Sequence, residues 1–549
     1  MSNSTSPAQV IPSIILRKVL EYAVNGLRKK YGSPIVHNAV VKELLSVCST
    51  WRQAAREYLW KSTNLMIDSK NADIYFVHPE WAKRFELPHD AADMIREFQV
   101  IIPRASIFDG AAYKALLKYM GETKNLPLVN RLIIWITDDF VAMEYPMENA
   151  TSNALEYAQL LKSLIVDTTQ IKVMCGGKLW VFGESEEDTF GEFLSSLFSN
   201  AKSSYLGMRT VDFNNPLTIG YIPQLSSLTI RCEQSPGVNL SLVHNCASTL
   251  IDLVIWISDV KALFYDTNSN AVVYPNLQEL LLTLVLCNDP IERVYVPNIV
   301  PFPSLEDLKI SMPYPFADDV LLRGNRATLR SLSLRLDRAT VAMLNSSRVF
   351  EDKHNNFKVS ISKDIRANDI HLVSKVDMNQ FIGNMVGSAQ SLELYHMIPF
   401  NELIAAAPQI HGFKHLQNLY ADWLELSVFN MLCLFKAAPA LVKITCGIFN
   451  LGAELEGIAS GDLPDYIAST YGNTGKHFQV WNKSSYKGTD CKDTIEPVIL
   501  LALACPKFCR IEMSSDFVSD YRTRMAEALL SDKYSKYASR VSKVRSYVC

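Results

Sequence analysis

One short apolar phrase recurs through the middle of this chain and leaves few folds open to it. The stretches IPQLSSLTI, YPNLQELLL, FPSLEDLKI and APALVKITC each place a proline ahead of apolar residues spaced L-x-x-L-x-L. The triplets start at Leu225, Leu250, Leu277, Leu305 and Leu329, which are 25, 27, 28 and 24 residues apart, and again at Leu416 and Leu441. A near-constant period of this size predicts a repeat array. The last two apolar residues of each triplet, two positions apart, fall on one face of a strand. The proline, two residues before the first, is expected to close the preceding helix, because it lacks an N–H and fixes φ. One such unit cannot bury its apolar face alone, whereas stacked neighbours can. Each step between parallel strands needs a crossover of a dozen or more residues. A period of 24 to 28 leaves room for one helix per repeat. The predicted fold class is α/β: a solenoid with a parallel sheet on its concave face and helices outside.

Bulk properties agree with such an array. A chain of 549 residues suits a solenoid with an appendage, and an apolar content of 48% supports a large core. A net charge of -3 argues against a nucleic-acid binder, which carries a basic excess. No run of 18 apolar residues appears, so no membrane span is expected. The N-terminal MSNSTSPAQV has no apolar segment and does not read as a signal peptide. The eleven cysteines are scattered, and some, such as Cys446, take the place of a core leucine. They read as reduced core residues of a cytoplasmic or nuclear protein.

Along the chain, residues 1–10 read as a disordered tail and 11–67 as a separate small helical unit. Strand and helix patterns alternate through 68–515. Strands are expected at 98–103, in VNRLIIW around Leu132, at 171–175 and at 209–213, with helices at 110–120, 152–166 and 190–198. A weak repeat is expected around 357–362, between the stronger ones at Leu329 and Ala389. Residues 451–493, rich in Gly, Ser, Asp, Thr and Tyr, read as an insertion. A helix at 496–504 and a last triplet at Phe508, Ile511 and Met513 follow, and 516–549 reads as a C-terminal capping helix.

Residues between the strand apolars are expected to face the concave side. Trp135, Trp256, Lys309, Arg335, Tyr395 and Tyr420 are the candidate partner-binding residues there. Exposed Trp, Tyr and Arg usually carry interface energy.

The N-terminal unit runs IPSIILRKVLEYAVN, then a basic loop, then VKELLSVCSTWRQAAREYLWKSTNLMI. Pro12 starts a helix where a missing N–H costs nothing, and Ile15 and Val19 share one helix face. Leu44, Val47, Cys48 and Trp51 form a second stripe, followed by Leu59 and Trp60. This stretch resembles an F-box, the helical motif by which adaptor proteins dock onto the Skp1 subunit of cullin ubiquitin ligases. The order of an F-box followed by leucine-rich repeats resembles a class of ligase adaptors, including lineage-expanded fungal F-box-like proteins. The span from Pro12 to Val47 exceeds that of a usual F-box by about three helical turns, and Ser13 stands where an acidic residue is usual. The resemblance implies a Skp1-like partner held by the helical unit and a protein substrate held by the repeats. A ligase-independent scaffold, with the helical unit serving only as an N-terminal cap, is the alternative.

Catalytic motifs are weak. Cys175-Gly-Gly-Lys lacks the first glycine and the Ser or Thr of a phosphate loop. Cys505 and Cys509 have no second pair at zinc spacing, and His411 and His415 have no third ligand. Thr137-Asp138-Asp139 reads as a solvated turn. The expectation is therefore a non-enzymatic adaptor with no cofactor and no metal, monomeric within its complex, binding neither nucleic acid nor membrane.

Overall fold

The computed structural model describes residues 96–137, 149–211, 225–232, 240–284, 300–350, 357–363, 375–395, 413–421 and 426–450 with short gaps. It also describes the remaining strands and helices named below and scattered positions within 15–19, 49–53 and 455–535. The chain divides into two compact units, Met1–Leu277 with Val285–Asn288, and Gln278–Leu284 with Asp289–Cys549.

The first unit carries strands β1 (Ser62–Asp68), β2 (Asp73–Val77), β3 (Arg84–Phe85), β4 (Glu97–Pro103), β5 (Val129–Thr137), β6 (Ile165–Cys175), β7 (Ser203–Val211), β8 (Leu225–Cys232) and β9 (Asp252–Ile257). Strands β1, β4, β5, β6, β7, β8 and β9 are parallel neighbours in that order. Helices α1 (Arg104–Phe108), α2 (Ala111–Thr123), α3 (Ala150–Lys162), α4 (Glu184–Phe198) and α5 (Ser241–Asn245) make the crossovers. Burial alternates along the strands. Phe98, Val100 and Ile102 of β4 are buried, as are Leu132, Ile134 and Ile136 of β5 and Leu253, Ile255 and Ile257 of β9. The buried stripe of α3 includes Tyr157, which stacks on Phe193 of α4 with ring centroids 6.2 Å apart. Each of these large apolar side chains contributes about 1.5–3 kcal/mol by leaving water.

The second unit carries β10 (Glu279–Leu284), β11 (Asp307–Pro313), β12 (Ser331–Leu336), β13 (Lys358–Lys363), β14 (Ser391–Tyr395), β15 (Asn418–Ala421), β16 (Leu426–Ser427), β17 (Lys443–Cys446), β18 (Phe449–Asn450), β19 (His477–Asn482), β20 (Phe508–Met513) and β21 (Arg545–Val548). All except β16 and β18 are parallel neighbours in chain order, and those two form a separate short pair. Helices α6 (Val320–Gly324), α7 (Arg338–Ser347), α8 (Lys375–Ser388), α9 (Val428–Ala437) and α10 (Leu463–Tyr471) lie between strands. Backbone bonds thread one repeat to the next where the chain approaches each strand. Arg330 N–H donates to Glu306 at 2.7 Å, Lys358 N–H to Arg330 at 2.8 Å, and Val442 N–H to Gln417 at 2.7 Å. Helices start where a strand ends on a capping side chain: Asp337 accepts from the Thr340 N–H and Ser427 from the Asn430 N–H. Both units therefore have the α/β, parallel-sheet architecture of leucine-rich-repeat-like proteins.

Several expectations change in detail. The repeat proline sits in a turn. Leu225, Leu277, Leu305 and Leu441 each donate their N–H to the carbonyl three residues earlier, on Ile222, Tyr274, Phe302 and Ala438. Pro275, Pro303 and Pro439 stand second in the last three turns, where a fixed φ is already correct. Among the described residues, α9 ends directly before such a turn, at Ala438. The helix of a repeat is short where the period is most regular. There the crossovers shrink to the five residues of α5 or α6, or to the 3-10 turn Val260–Leu263. A period of 24 to 28 residues, less the strand and two turns, holds little more.

The expected insertion at 451–493 contains α10 and β19, and β19 pairs on both sides, with β17 and β20. It is a repeat whose strand, HFQVWN, carries no leucine triplet. The expected C-terminal helix over 516–549 is helical only around Thr523–Leu530 among its described residues, and the segment ends in β21, paired to β20. The strand expected at 209–213 begins at Ser203. The helical unit expected to run to 67 stops earlier, since β1 already starts at Ser62. The sheet is also not purely parallel. β2 pairs antiparallel with β1, and β3 with β2.

Candidate functional site

The strand alternation that buries one set of side chains turns the other set away from the helices. In the first unit the register aligns these outward positions into rows. One row runs Ile101, Trp135, Met174, Gly207, Thr229, Val254 across six strands. Its five side chains are partly exposed, and Gly207 between Met174 and Thr229 is buried. The row beside it runs Gln99, Ile133, Lys172, Tyr205, Ser227, Asp252.

Gly207 shapes this surface. A Cβ there would meet the Met174 Sδ at 2.8 Å and the Tyr205 hydroxyl at 3.0 Å. The Tyr205 ring therefore lies across the glycine rather than standing off the sheet, and its hydroxyl donates to Thr229 Oγ1 at 2.8 Å. The Lys172 ammonium sits 4.4 Å from the centroid of that ring. At the far end of the row, burial pushes the Asp252 carboxyl above the ordinary carboxylate range, and a hydrogen bond with Ser227 offsets part of that shift. At the near end, Arg131 pairs with Glu97 at 2.9 Å. Trp256 stands in register with Arg231, two residues beyond the Thr229 and Val254 pair.

The second unit presents a different face. Its corresponding row runs Leu281, Lys309, Ser333, Ser360, Glu393, Tyr420, Thr445. Lys309 is exposed, and Tyr420 is partly exposed with the Lys443 ammonium 5.2 Å from its ring centroid. Arg335 occupies the outward side of β12 two residues after Ser333, and Thr283 and Ser311 share a hydrogen bond across β10 and β11. Tyr395 ends β14, in register with Ser362 of β13; its side chain lies outside the described atoms.

The six expected partner-binding residues thus divide between two faces. Trp135 and Trp256 belong to the first unit; Lys309, Arg335, Tyr395 and Tyr420 belong to the second. Sequence reasoning missed Met174, Lys172, Tyr205 and Gly207. Only cross-strand register sets them beside Trp135.

Within the stretch expected to form the helical unit, Ile15, Val19 and Trp51 are helical. Ile15 and Val19 are 50% and 45% exposed, against essentially full burial of the repeat leucines. Trp51 is half-buried, with its indole N–H enclosed and no acceptor near it among the described residues. Pro12, Leu44, Val47, Cys48, Leu59 and Trp60 lie outside the described residues, as does the expected tail at 1–10.

The remaining chemical groups are placed as follows. Cys175 is the last residue of β6, buried, with its thiol pushed up by desolvation. Cys246 is buried, its Sγ facing the Ile222 carbonyl at 3.7 Å, and burial pushes its thiol up to about 11. Neither has the lowered pKa of a nucleophilic cysteine. Among the described residues no three His, Cys, Asp or Glu side chains converge as metal ligands, and no helix is long and apolar enough to cross a membrane. His415 is exposed on the approach to β15, and His411, Asp138, Asp139 and Cys505 lie outside the described residues. No protein-family model matches the chain, and no curated protein matches it in sequence.

Proposed function

We propose that this chain is a non-enzymatic, substrate-recognising adaptor of a Skp1-cullin-F-box type ubiquitin ligase. Its helical unit docks a Skp1-like subunit, and the outward sheet faces hold a target protein. Catalysis belongs to the other ligase subunits, and the chain needs no cofactor of its own. It works in the cytoplasm or nucleus, as a monomer within the complex.

The observation that carries the reading is the exposed pair Ile15 and Val19. Both are helical, four residues apart, and half open to solvent, whereas most large apolar side chains among the described residues are enclosed. An apolar stripe on a small helical unit suits a helical partner. A second observation favours docking over a capping role. The sheet edge at β1 is already covered by the antiparallel β2 and β3, so the helical unit is not needed to shield that edge.

The test is co-expression of the full chain with Skp1. Co-purification is expected, and Ile15→Asp with Val19→Asp is expected to abolish it while circular dichroism stays unchanged. If the wild-type full chain does not associate with Skp1, the adaptor reading fails.

A further inference from the structure

We infer that the outward face of the first unit binds an amphipathic helix of the target, about 16 residues long, laid along the Trp135 row with an acidic side chain on Lys172. The inference rests on the reading of this face as the target-binding surface, and it names what binds there.

The backbone supplies the first argument. In the middle of a parallel sheet every strand from β4 to β8 is paired on both sides. The face offers no backbone donors or acceptors, so a segment docking on it must satisfy its own N–H and C=O groups. A helix does so internally, whereas an extended peptide does so only by adding to a sheet edge. The spacing agrees. Adjacent strands lie about 4.8 Å apart, near the ~5.4 Å pitch at which one face of a helix recurs. Alternate residues of an extended chain recur only every ~6.7 Å. Six strands give a row of about 24 Å, or about 16 helical residues.

Polarity supplies the second. The row from Ile101 to Val254 holds no charged side chain, and Gly207 lets Tyr205 and Met174 lie across its centre. The equivalent row of the second unit holds Lys309, Ser333, Ser360 and Glu393 and offers no such stripe. Beside the apolar row, the Lys172 ammonium rests on the Tyr205 ring and pairs with no carboxylate among the described residues. Asp252 stands three strands further on in the same row. An acidic group over Lys172 and a basic group over Asp252 would fix the direction of the helix.

The experiment is selection from a display library of 18-residue helical peptides, randomised on one face, against the full-length chain. Enriched peptides are expected to carry an apolar i, i+3, i+7, i+11 stripe and an acidic residue beside it. Trp135→Ala is expected to weaken the selected peptides about thirtyfold. Lys172→Glu is expected to shift the selected position from acidic to basic. Should Trp135→Ala fail to fold, Thr229→Glu, an outward position in the same row, serves in its place. The inference is overturned if no helix is enriched, if binders contain proline and extended motifs, if either row variant binds them unchanged, or if the face is instead occupied by a second copy in sedimentation. The Skp1 experiment reads the helical unit alone, so failure here is distinguishable from failure of the adaptor reading.

Discussion

Substituting Leu332 and, separately, its neighbour Ser333 tests the repeat at its centre. Leu332 lies in the middle of β12, is fully buried, and is in register with Leu308 of β11 and Val359 of β13. It has packed strands on both sides, so the surroundings cannot collapse easily onto a smaller side chain. Leu→Ala at such a site costs about 3 kcal/mol, the transfer of the lost methyl groups plus the cavity left behind. Ser333 points to the opposite face, and Ser333→Ala is expected to change stability by less than about 0.5 kcal/mol. In a repeat array such a loss is felt mainly by the altered repeat and its neighbours. Hydrogen exchange read by mass spectrometry is therefore the right assay. About 3 kcal/mol corresponds to roughly a hundredfold increase in the opening constant. Peptides covering β11, β12 and β13 should show it in Leu332→Ala, and remote peptides such as those of β5 should not. A shift of one residue in register would reverse the roles of the two positions. If Ser333→Ala proves the costly change, or if Leu332→Ala is silent, the assignment of inward and outward faces is wrong.

Further outcomes are expected elsewhere. Asp337→Ala removes the cap on α7, where Asp337 accepts from the Thr340 N–H at 2.7 Å, and should cost about 1 kcal/mol in urea titration. Gly110→Ala places a side chain at φ +75 with its Cβ 3.0 Å from Asn153; about 1–2 kcal/mol of backbone strain should lower the melting temperature. Cys246, pushed up to about 11 by burial, should resist thiol reagents at pH 8 in the native state and react on unfolding. Because its folded pKa is raised from 9.0, its contribution is complete below pH 9 and is lost as pH rises toward 11. Cys246→Ala should therefore flatten the alkaline stability loss in that window.

Much of the architecture was legible in the residues. Leu228 and Ile230, Leu253 and Ile255, Leu280 and Leu282, Leu308 and Ile310, and Leu332 and Leu334 are all buried, because a period-two apolar pattern has only one way to lie on a strand beside its neighbours. The class of fold followed from that pattern and its spacing. The repeat at 451–493 was not legible, since β19 reads HFQVWN and carries no leucine triplet. Its membership rests on pairing to β17 and β20, which is a property of the sheet. The closing of the first edge by β2 and β3 was likewise invisible, because antiparallel pairing depends on how the chain turns back rather than on an apolar period.

The face of the sheet shows the division most clearly. Sequence alone determined that Trp135 and Trp256 lie on the side opposite the core, by alternation along each strand. It did not place Met174 next to Trp135, or Lys172 over Tyr205, or Gly207 beneath them. Those neighbours come from different strands, joined only by register, and register is set by the packing of whole repeats against one another. Alternation is local and can be read from a few residues. The surface made by many strands is not local, and only the tertiary structure decided which side chains share it.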